Sequence, residues 1–348
     1  MSPYIFPILL LGMGLGTTAT IISSHWLLAW MGLELSTVAI IPLMARRHHP
    51  RAVEATTKYF LVQAAAAALL LFASVTNAWV SGEWHIQQMT HPLPTTMIIL
   101  ALALKIGLAP LHAWLPEVLQ GLDLTMGLIL STWQKIAPLA LFLQIQLQNP
   151  TLLILLGLTS TFVGGWGGLN QIQLRKILAY SSIAHLGWMI LIIQFMPALT
   201  LLNMFTYFTL TISTFMIFKH LTSTNVSTLA TSWAKSPALT ALAPFTLLSL
   251  GGLPPLTGFA PKWLILQELT KQHLSLTATL AALSALLSLF FYLRLTYAMT
   301  LTISPSITLN SAPWRLKPPH PTLPLALSTT AAILLLPIMP AALTMFLP

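Results

Sequence analysis

The segment LALKIGLAPLHAWLPE, residues 102–117, places a lysine, a glycine and two prolines inside an apolar stretch. Pro110 has no N–H to donate and clashes with the preceding turn, so a helix is predicted to open there. Carbonyls freed by such a break cannot be satisfied by lipid and must find partners in protein or water. If the chain lies in a membrane, the segment therefore predicts a broken helix beside a polar pocket.

The composition indicates an integral membrane protein. Of 348 residues, 56% are hydrophobic and 6% are charged, and the mean hydropathy is +0.83, whereas about a quarter of the residues in a soluble domain are charged. The net charge of +9 comes without a basic helix or a basic–aromatic repeat, so no nucleic-acid partner is expected. There is no cysteine and the ten histidines lack ligand spacing, so no metal site is predicted.

Apolar runs of about 17–25 residues predict membrane-spanning helices. The sequence therefore predicts an all-α membrane protein with about eleven transmembrane helices, the ninth of them long and interrupted in its middle. The predicted spans are 3–22, 25–43, 59–80, 96–116, 124–147, 151–170, 174–195, 199–219, 238–270, 275–298 and 324–346.

The basic residues are distributed unevenly across this arrangement. The side of the N-terminus, called side A, carries eleven of the fifteen, the opposite side B carries only Lys271, and Lys105, Lys135 and Lys262 fall within spans. Because positive residues stay on the side that does not translocate, side A is expected to be the cytoplasm or an organelle matrix. The C-terminus is expected on side B. The eleven are Arg46, Arg47, Arg51, Lys58, Arg175, Lys176, Lys219, Lys235, Arg294, Arg315 and Lys317.

The opening segment has a second copy. Residues 107–116 read GLAPLHAWLP and residues 252–261 read GLPPLTGFAP, an offset of 252 − 107 = 145 positions. The copies fall in spans four and nine, an odd number of spans apart, so the two units are predicted to be inverted. Paired broken helices in inverted repeats point to a transport pathway. The alternative is that GLxPL is an ordinary membrane kink that recurs by chance.

Charged residues are predicted near the middle of the bilayer. At about 1.5 Å per residue, Glu34 and Lys105 lie about 14 Å from side B, and Lys135 lies about 17 Å from side A. Each costs at least about 2.5–3.5 kcal/mol there. Glu34 and Lys105 either form a buried ion pair that fixes two helices or belong, with Lys135 and Lys262, to a titratable relay.

Other polar residues are less specific. His112 and His185 are either intermediate stations of that relay or packing residues, and the sequence leaves both interpretations open. Glu54, Lys58, Glu117 and Asp123 lie close to side A and are expected at the membrane interface.

Several motifs together resemble the antiporter-like subunits of respiratory complex I and the related multisubunit cation/proton antiporters. The resemblance covers essentially the whole chain. It rests on WMGLELS (30–36), ALALKIGLAPLHAWLPEVLQG (101–121), STWQKIAPL (131–139), NQIQLRKILAYSSIAHLGW (170–188) and LLSLGGLPPLTGFAPKW (247–263).

The resemblance implies two inverted five-helix repeats with discontinuous helices four and nine. Residues 1–148 would form the first repeat, 149–300 the second, and 301–348 a loop and the eleventh span. Family members usually carry three further N-terminal helices, which this sequence lacks. By motif, Glu34 would be the family's glutamate, Lys105 the lysine before the first break, Lys135 the next relay lysine, and Lys262 the lysine on the second broken helix.

The implied function is proton translocation in the mitochondrial inner membrane, coupled to NADH oxidation and ubiquinone reduction elsewhere in the complex. No cofactor is expected in this chain, because NADH, FMN, the iron–sulfur clusters and ubiquinone would bind other subunits. The expected partners are the other membrane-arm subunits and the lipid bilayer, cardiolipin included. Two alternatives stay open: a stand-alone cation/proton antiporter, and a structural membrane scaffold.

Overall fold

The computed structural model describes residues 4–46, 49–89, 91–145, 150–234, 236–302 and 322–346. Four of the eleven basic residues of side A (Arg47, Lys235, Arg315 and Lys317) lie outside these ranges, as does most of the 299–323 loop.

The described residues are helical, and they contain no β-strand beyond isolated bridges at His25–His85 and Gln173–Asn225. The helices are α1 (Ile5–Ile22), α2 (Trp26–Met44), α3 (Pro50–Ser81), α4 (Pro92–Ile106), α5 (Trp114–Gly121), α6 (Leu124–Ser131), α7 (Trp133–Gln144), α8 (Thr151–Gly168), α9 (Leu174–Ile192), α10 (Pro197–Leu221), α11 (Val226–Ala230), α12 (Pro237–Gly251), α13 (Phe259–Lys271), α14 (Ser275–Thr300), α15 (Leu323–Leu334) and α16 (Met339–Phe346).

Many of these helices are long and apolar enough to cross a bilayer. The described ranges contain seven such membrane-length segments, one of which consists of α6 and α7 together. Helix α15 and the residues that follow it form an eighth, which is bent. Two shorter apolar helices, α4 and α12, each end at a break. The expectation of an all-helical membrane protein is confirmed.

The predicted break in each copy of the repeated motif is present. Helix α4 ends at Ile106 and α5 begins at Trp114, while α12 ends at Gly251 and α13 begins at Phe259. Both pairs of bounds differ by the same 145 residues, because 251 − 106 and 259 − 114 are equal. Gly107 and Gly252 are the first non-helical residues of the two breaks, with φ of 85° and 82°. This left-handed conformation carries no steric penalty for glycine. The peptide bonds before Pro110 and Pro255 are both cis.

The last predicted span, 324–346, is not one continuous helix. Helix α15 ends at Leu334, a 3₁₀ turn covers Leu336–Ile338, and the chain bends by 66°. Pro337 and Pro340 explain the bend, since each lacks an N–H and clashes with the turn before it. The hydropathy of this segment predicts a span but carries no information on where prolines redirect it.

The chain divides into two compact units, Met1–Ser160 and Thr161–Pro348. In the first unit, the long helix α3 packs against α2, α4 and α5, and α1 packs closely against α2. A methyl group on Gly16 would lie 2.7 Å from the Gly32 carbonyl oxygen, so these two helices meet backbone to backbone. In the second unit, α10 packs against α9, α12, α13 and both C-terminal helices.

Candidate functional site

The backbone carbonyls freed at the first break are satisfied by side chains. The indole Nε1 of Trp114 donates a hydrogen bond to the Leu104 carbonyl (3.1 Å). Nε2 of Gln63, on α3, donates to the Lys105 carbonyl (3.2 Å). These bonds supply partners that lipid cannot offer, and they hold the last turn of α4 in place.

A cavity lies beside this break and has room for about one water molecule. Its walls come from α2, α3, α4, α5, α6 and α7, all within the first unit. The polar side chains that line it are Ser36, Thr37, Tyr59, Gln63, Lys105, Gln134 and Lys135, and among its apolar walls are Leu33, Trp114 and Pro138. The sequence predicted a polar pocket at this place.

Lys105 is a buried cavity residue whose ammonium group lacks a hydrogen-bond partner among the described residues. Its side chain is 6% exposed. Glu34 is near enough for its charge to act on Lys105, but the two form no ion pair in the described part of the chain. The Thr37 hydroxyl instead shares its proton between the Glu34 backbone carbonyl (2.9 Å) and Oε2 of the Glu34 carboxylate (3.1 Å). Thr37 thus connects the carboxylate to the cavity.

Lys135 lines the same cavity and is 2% exposed. Helix α7 begins two residues earlier, at Trp133, so the lysine lies in its first turn. The first unit therefore brings together Lys105 and Lys135, and it connects Glu34 to them through Thr37.

Sequence reasoning missed five polar residues of this site: Ser36, Thr37, Tyr59, Gln63 and Gln134. Gln63 gave a usable signal, because a glutamine within an apolar run must find a hydrogen-bond partner inside the protein. Gln134 adjoins Lys135 in the WQK motif, but its neighbour alone does not tell which way it points.

The second break satisfies its carbonyls in a different way. Nζ of Lys262, on α13, donates to the Gly251 carbonyl (2.7 Å) and to the Leu250 carbonyl (3.3 Å). The side chain is 9% exposed. Because the C-terminal carbonyls of a helix carry partial negative charge, the end of α12 stabilises the ammonium group.

Among the described residues of the second unit, no carboxylate takes this role. Glu268 is the only acidic residue between 161 and 348. It lies 3.3 Å from Lys271 and accepts a hydrogen bond from Gln272. Lys262 is therefore held by backbone dipoles, whereas Lys105 lies in the field of Glu34.

Two glycines shape the second break. A methyl group on Gly252 would lie 2.8 Å from Cδ and 3.1 Å from Nζ of Lys262. A methyl group on Gly258 would lie 1.8 Å from the Ser249 carbonyl oxygen, far inside van der Waals contact. Glycine at both positions lets Lys262 fold back against α12.

The two histidines lie in different surroundings. His112 is half-buried in the first break and is not among the residues that line the cavity. His185, on α9 in the second unit, is 7% exposed, and its ring centroid lies 5.5 Å from that of Tyr207. Among the described residues, no three His, Asp or Glu side chains come together as metal ligands would.

A charged cluster lies where α3 meets α5. Nζ of Lys58 lies 2.9 Å from Glu54 and 2.8 Å from Glu117, and the three side chains are largely exposed. On the same contact, a methyl group on Gly121 would lie 2.6 Å from the Arg51 carbonyl oxygen. This cluster fits the predicted interfacial position and joins the helix after the break to α3.

The chain also matches known proteins over almost its whole length. Residues 23–288 match the family model described as NADH:quinone oxidoreductase/Mrp antiporter, and residues 289–343 match the model of the NADH dehydrogenase subunit 2 C-terminus. The chain belongs to the NADH:quinone oxidoreductase/Mrp antiporter family.

Particular relatives narrow this class. The chain is 69% identical to NADH-ubiquinone oxidoreductase chain 2 of Tetraodon nigroviridis, over 99% of both chains. It resembles a chain of respiratory complex I from Thermus thermophilus with a TM-score of 0.83 and 27% identity, over 98% of this chain and 81% of that one. A chain of the Mrp complex from Dietzia sp. DQ12-45-1b shares the fold, with a TM-score of 0.74 and 18% identity, over 86% of this chain and 61% of that one.

Proposed function

We propose that this chain is a proton-conducting membrane subunit of NADH:ubiquinone oxidoreductase in the mitochondrial inner membrane. The full-length relatives named as chain 2 of that enzyme and the two family models support this function. NADH, FMN, iron–sulfur clusters and ubiquinone would bind other subunits. The partners are then the other membrane subunits and the lipids around them, including cardiolipin.

The proposed architecture has eleven spans. The seven long helices, α9, the broken pairs α4–α5 and α12–α13, and the bent C-terminal pair add up to that number. Two inverted repeats, 1–148 and 149–300, would precede the last span. The equal 145-residue offset of both helix breaks supports this division. The N-terminus would face the matrix and the C-terminus the intermembrane space.

In the proposed mechanism, Lys105 takes up and releases a proton at Nζ in each cycle. Water in the cavity would exchange that proton with Lys135, while Glu34 would favour the charged form of Lys105 through its field. In the second unit, Lys262 would take up and release a proton at Nζ in the same way. The carbonyls of Leu250 and Gly251 would stabilise its charged form. His112 and His185 are proposed as further stations in their own units.

The observation that carries this function is the buried Nζ of Lys105, which has no partner among the described residues and faces a polar cavity. A lysine that only joined two helices would bind its carboxylate directly, because an uncompensated buried charge is strongly destabilising. A lysine that must change protonation state needs access to water and a counter-charge at some distance.

Lys135→Met tests this function. The variant removes a cavity lysine while keeping an unbranched apolar side chain, so NADH-driven proton translocation in assembled membranes should fall several-fold. Lys271→Met is the matched control, because Lys271 is exposed and its ion pair within the described part of the chain is with Glu268. Full translocation in an assembled Lys135→Met variant would contradict the function and favour a structural scaffold.

The shared fold with an Mrp complex chain keeps a stand-alone cation/proton antiporter as the second candidate. Mobility of the native protein in a non-denaturing gel separates the two. A subunit of the oxidoreductase runs with a very large assembly that oxidises NADH. A transporter that is monomeric or dimeric would migrate much faster than that assembly.

A further inference from the structure

The positive charge of the chain is concentrated in its second unit. Residues 161–348 contain nine basic residues and one acidic residue, a net charge of +8, whereas residues 1–160 contain six basic and five acidic residues, a net charge of +1. The rule that orients membrane proteins concerns their basic residues and does not require acidic residues to be absent. The second unit therefore carries positive charge that its own carboxylates cannot balance.

This unbalanced charge lies almost entirely on one side of the proposed topology. Seven of the nine basic residues of the second unit lie on side A. The single acidic residue, Glu268, pairs with Lys271 on side B, at 3.3 Å. Side A of the second unit thus has seven cations and no acidic side chain. Four of these cations lie in the described ranges: Arg175, Lys176, Lys219 and Arg294.

The four described cations lie at helix ends that hydrogen bonds join into one surface. Nη1 of Arg294, on α14, donates to the Leu169 carbonyl just after α8 (2.8 Å). The segment 172–174, which leads from α8 into α9, pairs with 224–226, which follows α10, through two backbone hydrogen bonds. Two of the other cations open α9, and the last turn of α10 holds the third. The ends of α8, α9, α10 and α14 are therefore neighbours.

Arg294 is the cation of this surface whose geometry is best defined. Its side chain is exposed, and the bond to Leu169 uses one of the five N–H donors that a guanidinium group carries. Arg294 lies about 9 Å before the end of α14, and a long basic side chain near a helix end extends to the membrane interface. Its remaining donors are therefore available to a ligand at the level of the lipid headgroups.

Exposed aromatic rings lie beside Arg294. Phe290, Arg294 and Tyr297 follow one another at intervals of four and three, so they share one face of α14, and both rings are exposed. On α8, the rings of Phe162 and Trp166 are also exposed and stack with centroids 6.0 Å apart. Tryptophan and tyrosine are enriched where a protein passes through the headgroup layer. An acyl chain can lie on these rings while its headgroup reaches the guanidinium group.

We propose that an anionic phospholipid of the side-A leaflet binds this surface, with its phosphate on Arg294 and its acyl chains on the exposed rings of α8 and α14. Arginine suits this ligand because its planar group bonds two phosphate oxygens at once. Lys176 and Lys219 add attraction for the negative headgroup. An acidic segment of another subunit would also balance the charge, but it would not account for the exposed rings. The inference rests on the proposed function for its membrane setting and topology, and not for proton conduction.

Photo-cross-linking in the assembled enzyme tests the proposal. The enzyme is reconstituted into phosphatidylcholine vesicles that contain a small fraction of photoreactive phosphatidylglycerol or, in a parallel sample, of photoreactive phosphatidylcholine. Lipid adducts are then measured on the peptides 162–176 and 286–300. The yield with phosphatidylglycerol should exceed the yield with phosphatidylcholine several-fold. This excess should fall at high salt, because salt screens exposed charges.

Three variants relate the excess to the cations. Arg294→Gln should lower the phosphatidylglycerol yield to that of phosphatidylcholine, whereas Arg294→Lys keeps the charge and should retain most of the excess. Lys219→Gln removes an exposed cation at the end of α10 and should lower the excess in part. Arg51→Gln is the matched control, because Arg51 is exposed on side A but belongs to the unit with five acidic residues. It should leave the yields unchanged.

Equal yields for the two lipids in the parent enzyme would overturn the proposal, and so would an assembled Arg294→Gln variant that keeps the excess. If neither peptide takes up lipid and a protein cross-linker joins them to an acidic segment of another subunit, that segment is the occupant and the proposal is also overturned. Lys135→Met keeps this inference apart from the proposed function, since that variant should lose translocation and keep the lipid excess. Loss of translocation without any lipid excess defeats only this inference, and a lipid excess with full translocation defeats only the function.

Discussion

The two lysines at the helix breaks are both buried, yet their charges are balanced differently. Lys262 donates to the carbonyls at the end of α12, whereas Lys105 has no direct partner and lies in the field of Glu34. Lys262 is therefore expected to depend on the shape of the backbone turn, and Lys105 on the cavity and on Glu34.

Gly252→Ala tests the dependence of Lys262 on the turn. The new methyl group would lie 2.8 Å from Cδ of Lys262, so the side chain must leave the carbonyls that hold it. A left-handed backbone conformation also costs a non-glycine residue about 1–2 kcal/mol. Proton translocation by the assembled variant should fall several-fold.

The backbone effect can be measured separately with Gly82→Ala. Gly82 ends α3 with a φ of 75°, and nothing lies within 4 Å of the position that a methyl group would take. This variant carries the same backbone strain without displacing a lysine, so its translocation should stay near that of the parent. Equal losses in the two variants would show that strain alone is responsible, contrary to the role given to Lys262.

At the scale of helices, the sequence predicted both breaks because their cause is local. Proline and glycine act on the backbone within one turn of their own positions, so GLAPL and GLPPL can be interpreted without knowledge of the fold. The bend after Leu334 arises in the same way, from Pro337 and Pro340, but the hydropathy of 324–346 was uniform enough to predict one span.

The contact between α3 and α5 depends on close packing more than on its ion pairs. Gly121→Ala would place a methyl group 2.6 Å from the Arg51 carbonyl oxygen and 2.7 Å from Cβ of Ala55, and should push α5 away from α3. Glu117→Gln removes an exposed ion pair, and such pairs contribute little to stability. Thermal unfolding of the assembled membrane arm should therefore be lowered more by Gly121→Ala.

Gly14→Ala is the control for this comparison, because a methyl group at Gly14 meets nothing within 4 Å. It should leave the unfolding temperature unchanged or slightly higher. A larger loss with Glu117→Gln than with Gly121→Ala would show that charge, and not packing, holds α5 against α3.

At the scale of the whole chain, the distribution of basic residues predicts the orientation. The loops 44–58 and 299–323 should lie on the same side as the N-terminus, with the C-terminus opposite. Protease protection in sealed, oriented membranes measures this, with tags inserted in each loop. Protection of one loop and cleavage of the other from the same side would contradict the eleven-span topology.

The charged residues of the site could be predicted from the sequence, but its uncharged polar residues could not. Glu34, Lys105, Lys135 and Lys262 could be named from sequence because charges are rare in apolar segments. Thr37 and Gln134 could not, since their place in the cavity depends on how α2 and α7 rotate about their axes. The same holds for the absence of a direct Glu34–Lys105 bond in the described residues, which only side-chain positions reveal.

Proton translocation by an assembled Lys105→Arg variant distinguishes a proton-transferring Lys105 from a purely structural one, with Lys105→Met and the exposed Lys271→Arg measured beside it. Arginine keeps its charge at every physiological pH, so it can balance Glu34 but cannot release a proton. We expect Lys105→Arg to assemble and to be as inactive as Lys105→Met, while Lys271→Arg translocates protons like the parent. An assembled Lys105→Arg variant that translocates protons at the parental rate would contradict proton transfer by Lys105.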